Sequence, residues 1–314
     1  MKEKSKLIRG TSKCARFFVC DTTQIVQESK DIHNLDPVAT TLFGKLLTIT
    51  AIMGKDLKGE NDLITLRVSG DGPYGSMLAT GNKKGEVKGY TGTLEEEKLN
   101  KIINEKGEFI TDETGQVRFL GNGTLQVIKD MGLKEPFVGL TQLDGEDIAD
   151  TMAHYFLISE QIKSVVTLGV KLTANGNVKK AGGYVVQLLP GVEERFIDKL
   201  EDKLRQIRSI TELLSGGFSP ERIVELLYED ISAVEDEAEM SGAHVKKYVE
   251  DYEILEESTL EYKCNCTKEK FYKGIITLGK KEINQILEEE GKIQVECHFC
   301  GKKYTFEKED FKNM

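Results

Sequence analysis

The sequence predicts an α+β protein: an N-terminal mixed α/β domain, a helical linker and a small C-terminal domain organised by four cysteines. Three observations carry that expectation. From about residue 14 to 190, β-branched and apolar runs bounded by glycines recur with few helical segments between them, which favours α+β over a regular βαβ alternation. Beyond Pro190 the apolar spacing changes to three and four, the period of a helix. Four of the six cysteines then lie in two close pairs near the C-terminus. At 314 residues the chain is about twice a typical domain. The expected division is 1–189 for the α+β domain, 190–260 for a helical and acidic linker, and 261–314 for the cysteine-bearing domain.

In chain order, KCARFFVC comes first, and alternation places Cys14, Arg16, Phe18 and Cys20 on one face of a strand. The spacing of Cys14 and Cys20 matches no metal motif, so they read as free core cysteines. DPVATTLFGKLLTITAIMG has Asp36 at an N-cap and Pro37 at the first helical position. It is apolar on nearly every side, as a helix buried in the main core would be. DLITLRVSG, RFLGNGTLQVIKD, SVVTLGVKL and GGYVVQLLPG read as strands. GDGPYG, Gly70 to Gly75, formally matches G-x-G-x-x-G, but Pro73 sits inside it and SMLAT after it reads as a strand. A hairpin turn is expected there, not a phosphate cradle.

In EERFIDKLEDKLRQIRSITELLSGG, Phe196, Leu200, Leu204, Ile207, Ile210 and Leu214 recur at helical intervals, predicting one amphipathic helix ended by Gly216 and Gly217. SPERIVELLYED begins a second, with Ser219 capping and Pro220 next. From Glu229 to Glu261 twelve acidic residues face only Lys246 and Lys247, which accounts for the whole formal net charge of -10. Glu235, Asp236, Glu237 and Glu239 crowd together there, and Val245, Tyr248, Val249, Tyr252 and Leu255 have a spacing compatible with a docked helix.

Composition and motifs exclude several functions. Hydrophobic residues at 39% and charged ones at 31% describe a soluble globular protein. The first twenty residues hold no apolar run of signal-peptide length, and no segment reads as a membrane span, so a cytoplasmic location with reduced thiols is expected. A neutral body with one acidic stretch lacks the basic face of a nucleic-acid binder. No P-loop, G-x-S-x-G or H-E-x-x-H occurs and the four histidines are scattered, so no enzyme is expected.

Cys264 and Cys266 form C-x-C in KCNC, and Cys297 and Cys300 form C-x-x-C followed by glycine in ECHFCG. The second is the turn through which two sulfurs converge on one metal, and an extended C-x-C can supply the other two. Together they make a four-thiolate tetrahedral site suited to one zinc ion, with His298 facing outward. A segment this short has too little core to fold alone, so metal binding and folding should be one event. Each pair can also close on itself after oxidation, so the four residues can serve as a permanent staple or as a switch.

LFGKLLT, GDGPYG, DMGLKEPFVG, YFLISEQ, AGGYVVQLLPG and the C-x-C, C-x-x-C tail, in that order, resemble the successive blocks of the 33-kilodalton heat-shock protein family of redox-regulated, ATP-independent chaperones. Lys163 stands where that family usually has proline, and the acidic linker is longer than usual. The resemblance implies a reduced, inactive state with zinc on Cys264, Cys266, Cys297 and Cys300. It implies oxidation to Cys264–Cys266 and Cys297–Cys300 disulfides, loss of zinc, unfolding of the linker, a homodimeric active form and binding of unfolding client proteins. The competing reading is a zinc-ribbon nucleic-acid-binding protein using the same four cysteines.

Overall fold

The computed structural model describes residues 4–92, 94, 96–104, 108–111, 117–143, 147–229, 238–240, 243–245 and 252–312. It divides into two compact units, Met1–Tyr262 and Lys263–Met314. The first unit runs β1 (Ser5–Thr11), β2 (Ala15–Asp21), α1 (Thr23–His33), α2 (Pro37–Lys55), β3 (Leu63–Gly70), β4 (Ser76–Asn82), β5 (Glu86–Thr91) and α3 (Glu96–Lys101). It continues with β6 (Gly123–Asp130), β7 (Phe137–Gln142), α4 (Ile148–Ser159), β8 (Ser164–Leu172), β9 (Val178–Leu188), α5 (Glu194–Gln206), α6 (Ile210–Ser215) and α7 (Pro220–Tyr228). A short pair, β10 (Ala238–Met240) and β11 (Ala243–Val245), precedes β12 (Glu253–Tyr262). The architecture is α+β, as expected.

Ten strands make one sheet in the order β7-β6-β3-β4-β5-β12-β1-β2-β9-β8. Neighbours are antiparallel except β12 and β5, where Glu261 and Tyr262 run parallel to Glu86 and Val87. GDGPYG is a hairpin turn: Gly70 N–H donates to Gly75 O at 2.7 Å and β4 follows at once. Gly72 is required there, because a Cβ would lie 2.5 Å from the backbone nitrogen of Gly121.

The helix over Pro37–Lys55 starts where the sequence places it. Asp36 Oδ1 accepts from the N–H groups of Val38 and Ala39 at 2.8 and 3.0 Å. Phe43, Leu46, Leu47 and Ile49 are fully buried, and the helix touches β3, β4 and β5 as well as β8 and β9. Those strands lie toward opposite ends of the order, so the sheet curls around α2. By length and composition α2 is able to cross a membrane, contrary to the sequence expectation, yet most of it is buried within this unit. The two strands that end the sheet, β7 and β8, are both packed against α4, which joins the edges.

The other face of β1, β2 and β9 carries a second apolar layer. Phe18 and Cys20 point toward α2, whereas Ala15, Phe17 and Val19 meet side chains of α5, α6 and α7, among them Leu200, Leu213 and Val224. Cys14 precedes the strand and packs with this second layer, not on the face of Phe18 and Cys20 as the alternation predicts.

Two further expectations are corrected here. The single helix ending at Gly216 is two, because Ile207 turns extended and Ser209 starts a new helix with a capping box to Glu212. Ser-x-x-Glu is a start signal that interrupts the apolar period. The helix spacing read over Val245 to Leu255 does not hold at its described ends: Val245 ends β11 and Leu255 lies in β12. Tyr248 and Val249, like Glu235, Asp236 and Glu237 of the acidic cluster, lie outside the described residues.

In β12 the buried residues are Leu260 and Tyr262, the period of a strand. Tyr262 Oη donates to Gly89 O at 2.8 Å and lies 3.1 Å from His33 Nε2. Two acidic residues of this strand meet cations: Glu256 pairs with Arg9 and with the buried Lys55, each at 2.7 Å, and Glu257 with Lys6 at 2.7 Å.

Candidate metal centre

The second unit is built from α8 (Lys268–Ile275), α9 (Lys280–Glu290), β13 (Ile293–Glu296) and β14 (Lys303–Phe306), with single 3-10 turns at Ile276–Leu278 and Lys308–Phe311. Gly291 at φ 74 ends α9 in the left-handed conformation. Ile275, Ile283, Leu287, Ile293, Tyr304, Phe306 and Phe311 form its apolar core.

β13 and β14 pair antiparallel from Ile293↔Phe306 to Glu296↔Lys303, which leaves 297–302 as the loop between them. In that loop the N–H groups of Cys300 and Gly301 both donate to Cys297 O, at 3.2 and 2.8 Å, with Gly301 at φ 67. The tight turn sets Cys297 and Cys300 on the same side. Cys264 and Cys266 come from the extended run before α8, whose N-cap Thr267 accepts from Lys270 N–H at 3.3 Å.

All four Sγ atoms lie within 4.8 Å of one another. Two contacts cross between the pairs: Cys266 to Cys300 at 3.4 Å and Cys264 to Cys297 at 3.7 Å. Cys297 is buried and the others half-buried. The arrangement thus brings together all four cysteines that the spacing singles out, close enough to share one metal ion. His298 is exposed and outside the cluster. Cys14 and Cys20 belong to the other unit, where burial pushes the Cys20 thiol up to about 12.

The thiols are electrostatically unequal. Burial pushes Cys264 up to about 12, against the backbone N–H of Cys266 that its sulfur accepts. Burial likewise raises Cys300. At Cys266 burial acts in the same sense, but hydrogen bonds from Tyr304 and from the neighbouring thiols outweigh it and draw the group down to about 7. Tyr304 Oη is 3.2 Å from Cys266 Sγ and 3.0 Å from Cys266 O. Motif spacing does not disclose this tyrosine. The alternation of KYTF, which turns Tyr304 and Phe306 inward, is the signal that could have.

The chain is similar to known proteins over nearly its whole length. The family model of the Hsp33 protein matches residues 5–307. The chain is 38% identical over 310 residues to the 33 kDa chaperonin of Lachnoclostridium phytofermentans, covering 98% of this chain and 97% of that one. It is 39% identical over 298 residues to that of Caldanaerobacter subterraneus subsp. tengcongensis, covering 95% and 92%. Among solved structures, the crystal structure of the 33 kDa chaperonin, a heat shock protein 33 homolog, from Thermotoga maritima superposes with a TM-score of 0.77. That match has 29% identity and covers 98% of this chain and 96% of the other. The chain belongs to the Hsp33 family.

Proposed function

We propose that the chain is a redox-regulated, ATP-independent chaperone that holds unfolding polypeptides after oxidation of its four-cysteine centre. The observation that carries this reading is the convergence of four Sγ atoms within 4.8 Å in a member of this family.

Zinc fits the cluster. Zinc–sulfur bonds of about 2.3 Å in a tetrahedron put the sulfurs roughly 3.8 Å apart, and the two contacts that cross between the pairs are 3.4 and 3.7 Å. Cys264, Cys266, Cys297 and Cys300 would hold one ion in the reduced state and leave no open position for a reactive water, the arrangement of a structural site and not of an enzyme. When bound, zinc supplies a cross-link between the segment before α8 and the β13–β14 loop.

The rest follows from thiol chemistry. A thiolate of one pair attacks a peroxide oxygen, giving a sulfenic acid and hydroxide. The second thiol of the pair displaces the sulfenic oxygen, which leaves with the thiol proton as water, and an S–S bond forms. Closure of Cys264–Cys266 and Cys297–Cys300 in this way withdraws all four metal ligands. The unit's small core then no longer suffices, and unfolding extends into the preceding linker. Apolar surface so uncovered would hold clients, and the oxidised form would be a homodimer. A cytoplasmic location suits a switch that starts reduced. The zinc-ribbon nucleic-acid reading is disfavoured by a formal net charge of -10.

Zinc content and free thiols are to be counted before and after peroxide, beside aggregation of a heat-denatured client with and without ATP. One zinc lost with four thiols, and holding without nucleotide, is the expected result. Zinc retained after Cys264 and Cys266 are oxidised, or strict dependence on ATP, would sink the proposal.

A further inference from the structure

The contacts around the sulfur cluster differ in kind. Main-chain amides supply two of them, Cys266 N–H to Cys264 Sγ and Lys302 N–H to Cys300 Sγ, and these are fixed by the turns themselves. Cys266 Sγ instead receives a side-chain donor, the hydroxyl of Tyr304 at 3.2 Å. The same hydroxyl lies 3.0 Å from Cys266 O, so one O–H group spans the sulfur and the backbone of one residue.

The aim of that hydroxyl is set by the ring. Tyr304 sits in β14 opposite Val295. Its ring is tilted against Phe271 with centroids 5.0 Å apart, and Lys302 Nζ lies 5.3 Å from its centroid. The residue is only 8% exposed. Removing the oxygen alone therefore leaves the supports of the ring in place.

We propose that Tyr304 is a positioning residue of the four-cysteine centre: its hydroxyl donates to Cys266 Sγ, holds that sulfur in the metal-binding arrangement and slows its attack on peroxide. The assignment rests on the reading that the cluster holds a metal and is oxidised. The physical reason is that a sulfur lone pair engaged by an O–H donor is less available to an oxidant. The contact to Cys266 O also restrains the backbone that carries the sulfur. Outer contacts of this kind commonly change metal affinity by about 10- to 100-fold. The device would set how much oxidant the switch tolerates before it responds.

The test compares the full-length protein with Tyr304→Phe. In the cobalt-loaded proteins, the sulfur-to-cobalt charge-transfer band should move to lower energy in the variant, while the ligand-field bands keep their tetrahedral pattern. In the zinc-loaded proteins, competition with a chromophoric chelator should show roughly tenfold or more weaker binding, and peroxide should consume the thiols several-fold faster. Phe271→Leu, which keeps the hydroxyl but loosens its aim, should move the band in the same direction by less. An unchanged band and oxidation rate in Tyr304→Phe, or a larger change in Phe271→Leu than in Tyr304→Phe, would overturn the proposal. Should Tyr304→Phe not fold, wild-type protein loaded with cadmium-113 decides: a scalar coupling between the Tyr304 hydroxyl proton and cadmium supports the hydrogen bond, and its absence overturns it. Wild-type protein that takes up no cobalt refutes the metal reading itself, and this assignment with it.

Discussion

The two units bury their interiors by different means. In Met1–Tyr262 a sheet curls around a largely apolar helix on one face and carries a second apolar layer under α5, α6 and α7 on the other. In Lys263–Met314 the core is seven apolar residues beside four cysteines. The first unit buries a large apolar interior, whereas the second, under the function proposed above, would depend on what its sulfurs are bonded to.

The largest effect should come from the sulfurs. Cys297→Ser removes a buried sulfur of the proposed zinc centre, and structural zinc in small domains accounts for about 10–16 kcal/mol of apparent folding energy at neutral pH. Zinc binding and amide protection should vanish throughout 263–314 while the amides of α2 stay protected, as read by hydrogen exchange with mass spectrometry. Equal loss in both units would break the comparison.

The converse change targets the helix core. Leu46 is fully buried in α2, and Leu46→Ala should cost about 2–5 kcal/mol. The urea midpoint of the first unit should fall with metal content unchanged. A fall in metal content would show that the units are not independent.

The smallest effect concerns Glu256. Burial alone would raise this carboxyl, but hydrogen bonds from Lys55 and Ser258 and the charges of Lys55 and Arg9 pull it down to about 2 from 4.5. A depressed carboxyl stabilises the fold fully above its unfolded value, and the contribution drains away as pH falls from about 4.5 toward 2. Glu256→Gln should therefore cost on the order of 1–2 kcal/mol at pH 7, with allowance for its partial exposure. Denaturant midpoints of wild type and variant should converge near pH 2. A gap that persists there would mean that the loss is one of packing, not charge.

How legible these features are in the sequence depends on how local their causes are. α2 is legible because its cap, its proline and its apolar faces lie within one segment. That the four cysteines come together is legible because they stand in two close pairs with the spacing of metal-ligand motifs. The break between α5 and α6 is written locally too, in Ser209 and Glu212, but the apolar period runs through it and masks it. β12 is the instructive failure. Glu256 and Glu257 read as mutual repulsion in an acidic stretch, whereas Arg9, Lys6 and Lys55, which neutralise them, stand far away in the chain. The fold supplies those cations, and no window of the sequence shows them.

The place of β12 also bears on how the molecule is made. Synthesis proceeds from the N-terminus, so β1 and β5 leave the ribosome long before the strand that lies between them. At about 5–20 residues per second the interval is on the order of ten seconds or more. During it β1 and β5 each have one edge whose N–H and C=O groups await a partner, the kind of edge on which nascent chains stick together. Arg9, and Lys6 until Glu221 emerges to pair with it, then stand along β1 as positive charges, which keep other strands off. When Glu256 and Glu257 arrive, the same charges become the attraction that seats the last strand. The pairs that bind β12 in the finished sheet are thus, earlier in the life of the chain, its protection against aggregation.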